Sequence, residues 1–215
     1  MSIRWTTAFL DLPPAVHATG SAFWTTVTGT VLSPPRGDRD RFTTLLPADG
    51  AAFLRVQRLD GAPRVHLDLH VDDLAAEVAR SEALGATVVS SAGHAVLRSP
   101  GGFAFCLVHE RGDDDPTVLT RPTAWSGPRG SAALVDQICL DVPATSFAPE
   151  RDFWVALTGW PPEHEDDGSE LVPLARPDGM PLRVLLQRLG PDDGGTTVRA
   201  HLDLASAPHR DLATA

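Results

Sequence analysis

Three titratable side chains alternate along one short stretch of the chain: His66, Asp68 and His70. The residues between them, Leu67 and Leu69, are apolar. In an extended strand this alternation places the titratable groups on one face and the apolar groups on the other. His66 could ligate a metal or act as an acid or base, and Asp68 could orient its imidazole. The stretch therefore predicts a strand that packs on the core with one face and lines a cavity or meets water with the other.

Each of these residues also has a structural interpretation, and the sequence leaves both open. His66 could be a strand histidine that bonds to its neighbours, and Asp68 could anchor the sheet as a buried polar group. The sequence His-Leu-Asp-Leu recurs at 201–204, which favours the anchor. His70 has no counterpart at Ala205, so it is either specific to the first copy or a surface residue.

Three further side chains are candidates for a ligand-binding site: Trp24, Gln57 and Cys106. Gln57 could present its side-chain amide to a ligand, or it could form a hydrogen bond within the sheet. Trp24 is at a helical position where core packing is favoured over a ligand wall. Cys106 is a soft ligand or a reactive thiol, but a small buried apolar group is favoured. The sequence assigns no catalytic residue, and it contains none of the familiar nucleophile, phosphate or zinc motifs.

Composition excludes several classes of function. The chain has 215 residues, a formal net charge of -10 and no lysine, so all 18 basic residues are arginine. An acidic chain argues against a nucleic-acid partner, and the missing lysine excludes Schiff-base catalysis and a Walker-type phosphate loop. The two cysteines form no disulfide framework or metal motif. With no long apolar run, we predict a soluble cytoplasmic protein without a membrane partner.

The elements that must position these residues form two units: a strand, a helix and further strands in the first, and a strand, a helix and three strands in the second. In the first unit, a strand over 5–12 precedes a helix over 17–28, with Phe23 and Trp24 on one side and Gly29 as its end. The remaining predicted elements are strands at 42–46, 52–59 and 65–71, a helix at 74–84, and strands at 86–90, 95–98 and 103–109.

The first unit then repeats about 130 residues later. Leu10-Asp11-Leu12-Pro13 is matched by Leu140-Asp141-Val142-Pro143, and Phe23-Trp24 by Phe153-Trp154. We predict a complete domain at 1–110, a linker at 111–131 and an incomplete second domain at 132–215. Because an open sheet edge is a liability, another chain could complete the second domain, and a homodimer is the partner we expect there.

The chain resembles the vicinal oxygen chelate superfamily, which includes glyoxalase I, bleomycin-resistance proteins and extradiol dioxygenases. The resemblance covers 5–110 as a whole domain and 132–205 as a partial one, and is strongest to the actinobacterial glyoxalase-like domain group. It is carried by Phe23-Trp24, Gln57-Arg58, the stretch 64–74, Leu84-Gly85-Ala86-Thr87, and a Pro-Gly-Gly turn before Phe103-Ala-Phe-Cys-Leu-Val108. It implies an α+β fold in which tandem βαβββ units form a half-open barrel sheet with helices outside.

The superfamily holds a divalent metal on the concave face of that sheet. The resemblance places the ligand positions at His66, at Cys106, near Trp5 or Thr7, and near Arg55 or Gln57. Only His66 is a usual ligand at its position. We therefore predict no full metal site and no confident cofactor, with a divalent metal as the alternative.

Our first functional hypothesis is a small-molecule binder of the bleomycin-resistance type. Its ligand-binding residues would be Trp24, Gln57, His66, Asp68, His70 and Cys106. The alternatives are a metal-assisted lyase, isomerase or dioxygenase, and an interaction module completed by another chain. The enzyme hypothesis requires a carboxylate beside His66, for which the sequence offers Asp68 and Asp11.

Overall fold

A computed structural model describes residues 3–109, 122, 133–164, 168–193 and 195–206. The predicted linker at 111–131 therefore lies outside the described residues, apart from Pro122. The helices are α1 (Pro14–Thr28), α2 (Leu74–Ala83) and α3 (Phe147–Thr158). The strands of the first half are β1 (Trp5–Leu12), β2 (Val31–Leu32), β3 (Phe42–Leu46), β4 (Leu54–Arg58), β5 (Arg64–Val71), β6 (Thr87–Ser91), β7 (Ala95–Arg98) and β8 (Ala104–His109). Those of the second half are β9 (Ala133–Pro143), β10 (Leu171–Pro173), β11 (Arg183–Leu189) and β12 (Arg199–Ser206).

The first eight strands form one open sheet in the order β2-β3-β4-β1-β5-β8-β7-β6. β1 and β5 lie antiparallel at its centre, β4 runs parallel to β1, and β8 runs parallel to β5. Each central strand is thus the first strand of a βαβββ unit whose last strand lies beside it. This confirms the predicted α+β fold with two such units.

β5 carries the predicted alternation. Leu67, Leu69 and Val71 are buried in the hydrophobic core, while His66 and Asp68 line a cavity on the other face. Apolar burial on one face fixes the register of the strand, because a one-residue slip would exchange the two faces.

Helix α1 differs from the prediction at its start and on its buried side. It begins at Pro14, three residues early, because proline suits the first helical position, where its missing N–H is not needed. It ends as predicted at Gly29, whose φ of 64° is left-handed. Phe23, predicted on the apolar side, is 56% exposed, whereas Ser21 and Thr28 are buried. Their hydroxyls donate to carbonyls one turn back, which makes their burial inexpensive.

The second sheet has the order β10-β11-β9-β12. β9 lies parallel to β11 and antiparallel to β12, which repeats the arrangement of β1 between β4 and β5. Among the described strands, β12 pairs with β9 alone. The domain boundaries, the incomplete second domain and the homodimer stay predictions.

The two halves share one hydrophobic core. The ring of Phe105 on β8 lies 5.8 Å from Phe153 and 5.4 Å from Trp154, both on α3. The buried carboxylate of Glu150 accepts from Trp154 Nε1 at 2.8 Å and from the backbone N–H of Gly101 at 2.6 Å. Helix α3 thereby fixes the outer face of β8 and the turn before it, and so positions the residues on the inner face of β8. No helix in the described part of the chain is long and apolar enough to cross a membrane.

Candidate functional site

A cavity of about 540 Å³ lies on the polar face of the first sheet. Side chains of β1, β4, β5, β7 and β8 line it, together with arginines from the loop between β2 and β3. This volume is within the range of pockets that hold small organic molecules.

The cavity is organised around His66. Its Nδ1 lies 3.0 Å from Oδ2 of Asp11, which also accepts from Nε of Arg64 at 2.8 Å. The antiparallel register of β1 and β5 sets Asp11 opposite Arg64 and Phe9 opposite His66. The Phe9 ring stacks on the imidazole with centroids 4.6 Å apart and an interplanar angle of 8°. Asp11 and Phe9 thus hold the imidazole in one orientation.

Asp68 lies at the other side of the imidazole. Its Oδ1 is 3.5 Å from Nε2 of His66 and has no hydrogen-bond partner among the described residues, although Asp68 is only 7% exposed. Parallel pairing of β5 with β8 sets Cys106 opposite Asp68. One ligand atom from each of His66, Asp68 and Cys106 lies within 4.8 Å of the others. A buried carboxylate oxygen without a partner is rare and points to a missing ligand, ion or water.

The electrostatics of the trio formed by His66, Asp68 and Cys106 favour a protonated His66. Burial lowers the pKa of His66, but its interactions with the side chains of Asp11, Asp68 and Cys106 outweigh burial and raise the pKa well above 6.5. Burial raises the pKa of the Cys106 thiol, and the opposing effect of His66 does not cancel this. Without a bound cation, the raised pKa of His66 favours its protonated form, and the raised pKa of Cys106 favours the neutral thiol.

The trio fits a divalent metal by its donor types. Nitrogen, oxygen and sulfur ligands suit a borderline cation such as zinc. In a tetrahedral site with bonds of about 2.1 Å, ligand atoms lie about 3.4 Å apart. The 3.5 Å between His66 Nε2 and Asp68 Oδ1 agrees with this spacing. Asp11 bonds to Nδ1 of His66. A carboxylate in this position is the arrangement that orients metal-bound imidazoles.

The structure brings four of the six predicted ligand-binding residues to the cavity: Gln57, His66, Asp68 and Cys106. His70 instead lies with Nε2 3.0 Å from Thr7 Oγ1, and the cavity lining does not include it. Trp24 is partly buried against the core and also lies outside the lining. This position agrees with the favoured interpretation of Trp24 as a core residue and not with its place among the ligand-binding candidates.

Sequence reasoning missed the roles of Phe9 and of the cavity arginines, and it gave Asp11 only as one of two carboxylates near His66. Four arginines line the cavity: Arg36, Arg41, Arg55 and Arg64. The alternation of Arg55 with Gln57 on β4 marks a shared face, and this signal could have identified Arg55.

A second cluster repeats part of this geometry on the second sheet. His201 lies with Nδ1 3.4 Å from Asp141 Oδ2 and Nε2 3.3 Å from Asp203 Oδ1. Cys139 takes the position that Phe9 has in the first half. The His201 side chain is 47% exposed against 11% for His66, so the copy is an open surface cluster.

The fold is similar to that of solved dioxygenases and related enzymes at low sequence identity. A 2,2',3-trihydroxybiphenyl 1,2-dioxygenase from Sphingomonas wittichii matches with a TM-score of 0.63 and 16% identity, covering 97% of this chain and 75% of the enzyme. A mutant of 4-hydroxymandelate synthase from Streptomyces coelicolor matches with a TM-score of 0.60 and 18% identity, and the match covers 94% of this chain and 70% of the synthase. A xylose isomerase-like TIM barrel/4-hydroxyphenylpyruvate dioxygenase fusion protein matches with a TM-score of 0.61 and 17% identity. The match covers 93% of this chain but only 35% of the fusion protein. These similarities show the fold alone.

No curated protein matches the chain. The family model of the glyoxalase-like domain matches residues 8–108 and 137–215, which is most of the sequence and includes both halves. Together with the paired βαβββ units and the dioxygenase-like fold, this match shows that the chain belongs to the glyoxalase-like domain family of the vicinal oxygen chelate superfamily.

Proposed function

We propose that the chain binds a small organic molecule in the cavity on the polar face of the first sheet. The observation that carries this proposal is the buried Oδ1 of Asp68, which lies 3.5 Å from His66 Nε2 at the cavity wall and accepts no hydrogen bond from the described residues. Burying an unpartnered carboxylate oxygen is costly, so a bound molecule or cation that satisfies it would stabilise the site.

The rest of the lining supplies what a small ligand needs. Phe9 and Phe42 form an apolar wall, with their rings edge to face and centroids 6.2 Å apart. Gln57, which lies opposite Phe42 in the register, offers an amide that can both donate and accept. An apolar wall with a few convergent polar groups is the usual composition of such pockets.

A variant that fills the cavity tests this proposal. Val96 on β7 lines the cavity and lies opposite Cys106 in the register, so Val96→Trp would occupy the space beside the trio. Val89→Trp on β6 is the matched control, because Val89 is exposed and outside the lining. A fragment library would be screened by saturation-transfer NMR against the wild type and both variants. We expect fragments that bind the wild type and Val89→Trp but not Val96→Trp. If the same fragments still bind folded Val96→Trp, the proposal is refuted.

A metal-assisted lyase, isomerase or dioxygenase is the second candidate. It is favoured by the convergence of His66 Nε2, Asp68 Oδ1 and Cys106 Sγ, with Asp11 bonded to Nδ1 of the histidine. These three residues would hold the cation, which would polarise a bound substrate oxygen as a Lewis acid. Asp11 would keep the imidazole in the tautomer that presents Nε2, and Phe9 would restrict its rotation.

Metal binding separates the two candidates. The protein would be stripped with a chelator, dialysed against Zn²⁺, Mn²⁺, Fe²⁺ or Ni²⁺, and analysed for bound metal. The second candidate predicts one ion per chain, lost in His66→Ala and Asp68→Asn but kept in His201→Ala, the matched position of the repeat. If no ion binds stoichiometrically, or if the ion persists in His66→Ala, the second candidate is wrong and the metal-independent binder remains.

A further inference from the structure

Four of the 18 basic residues of this acidic chain converge on one cavity. Arg36 and Arg41 come from the loop between β2 and β3, Arg55 from β4, and Arg64 from the start of β5. Because they come from three separate stretches of sequence, the fold and not local composition brings them together.

The strand register places two of these arginines, Arg36 and Arg64, at one end of the polar face. One row of paired residues runs across four neighbouring strands. It contains Arg64 on β5, Asp11 on β1, Gln57 on β4 and Phe42 on β3, and Phe42 in turn pairs with Arg36.

The next row along the strands contains His66, Phe9 and Arg55. The guanidinium carbon of Arg55 lies 5.6 Å from the centroid of the Phe9 ring. Asp68 and Cys106 form a pair one step further along β5. The cavity thus has an arginine end with Arg36 and Arg64, an opposite end with Asp68 and Cys106, and a middle row of Arg55, Phe9 and His66.

The charges of the lining do not balance. Among the described residues that line the cavity, Asp68 is the one carboxylate, and Asp11 behind His66 bonds to Arg64. Arg41 has a further partner in Asp38 at 3.7 Å, but this pair is solvent-exposed and weak. Four guanidinium groups and one carboxylate therefore line a cavity whose low-dielectric walls strengthen the electric field inside it.

We propose that the ligand of this cavity is a planar organic anion, an inference that rests on the proposed small-molecule function. Its anionic group binds at the arginine end, where guanidinium groups can pair with a carboxylate through two parallel hydrogen bonds. Its ring lies against Phe9 and Phe42, and its opposite end reaches His66, Asp68 and Cys106.

Titration calorimetry with a charge-matched series tests this inference. The probes are benzoate, benzenesulfonate and phenyl phosphate, with benzamide as the neutral counterpart of benzoate. We expect at least one anion to bind at least about tenfold more tightly than benzamide, with an affinity that falls as salt rises. The order among the anions distinguishes a carboxylate from a sulfonate or phosphate as the preferred group.

Arginine variants locate the effect. Arg55→Gln and Arg36→Gln are expected to weaken the anion about tenfold and to leave benzamide within about twofold. Arg39→Gln is the matched control, because Arg39 is in the same loop but is exposed and outside the lining. Arg36 is on an exposed loop, so its variant keeps the test valid if Arg55→Gln does not fold.

The outcomes separate this inference from the proposed function. If benzamide binds as tightly as the anions and Val96→Trp blocks it, the cavity binds small molecules but the anion inference is wrong. Equal losses in Arg39→Gln and Arg36→Gln would also overturn it. If the anions do not bind and the fragment screen also gives no cavity hit, both proposals are wrong.

Discussion

Replacing Asp11 with asparagine would weaken a hydrogen bond that helps to hold His66 in its protonated form. Asp11 is 2% exposed, and its Oδ2 accepts from His66 Nδ1 at 3.0 Å and from Arg64 Nε at 2.8 Å. Asparagine keeps the shape and one acceptor but not the charge. The pKa of His66 should therefore fall in the variant, because a hydrogen bond that raises it is weakened while burial, which lowers it, remains.

The loss of stability follows from these two contacts. A buried hydrogen bond to a charged group contributes about 1.5–3 kcal/mol. Arg64 is half-exposed, so its contact adds at most about 1 kcal/mol. We expect Asp11→Asn to lower the free energy of unfolding by about 2 kcal/mol at pH 6, or the melting temperature by roughly 4–8 °C.

The pH dependence has a definite sign. A histidine whose pKa is raised on folding contributes stability that is fully present below its unfolded pKa. For His66 this contribution is present below about 6.5 and is lost as the pH rises through the higher folded pKa. The difference between wild type and Asp11→Asn should therefore be largest near pH 6 and shrink in alkali.

The assay is urea unfolding of chelator-treated protein from pH 5.5 to 9.5, with the His66 pKa followed by NMR. Asp141→Asn is the matched control from the repeat, where the partner His201 is far more exposed. We expect it to cost less than about 1 kcal/mol at every pH. A constant difference for Asp11→Asn across the pH range, or a cost equal to that of Asp141→Asn, would refute the reasoning.

Two other predictions concern the contact between the halves and the thiols. Arg80 on α2 donates to two carbonyls in the last turn of α3, at 2.8 and 2.5 Å. Arg80→Met should therefore cost about 1–2 kcal/mol in urea unfolding, and a cost no larger than that of the exposed control Arg98→Met would contradict this role. Burial raises the pKa of both thiols, and nearby carboxylates help to raise that of Cys139 to about 12. At pH 8 neither Cys106 nor Cys139 should react with Ellman's reagent within seconds until the chain is unfolded, and a fast native thiol would contradict this.

The sequence predicted most elements of the first sheet and the repeat, because these depend on local patterns, but it missed the two-residue strand β2. The alternation around Leu67 predicted β5 and its buried face. Gly29 predicted the end of α1, and the predicted start of α2 at residue 74 agrees with Asp73 as its N-cap, which accepts from the N–H of Ala76. The start of α1 was predicted three residues late, because a proline such as Pro14 is compatible both with a strand end and with the first helical position.

The site was only partly predictable, because its contacts join distant residues. His66 and Asp68 are visible as alternating residues of one strand. The bond from His66 to Asp11 spans 55 positions and depends on the register of β1 against β5. The resemblance marked Cys106 as a ligand position, but its convergence with Asp68 needs the parallel pairing of β5 and β8.

The most direct test of this account is chemical-shift mapping of the labelled protein with a small-molecule hit from the fragment screen. The account predicts that the largest shifts fall on the polar face of the first sheet, at the amides around Phe9, His66 and Cys106. Val96→Trp should abolish them. Shifts centred on the second sheet around Cys139 and His201, or on the apolar face of the first sheet, would contradict the claim that this cavity is the functional site.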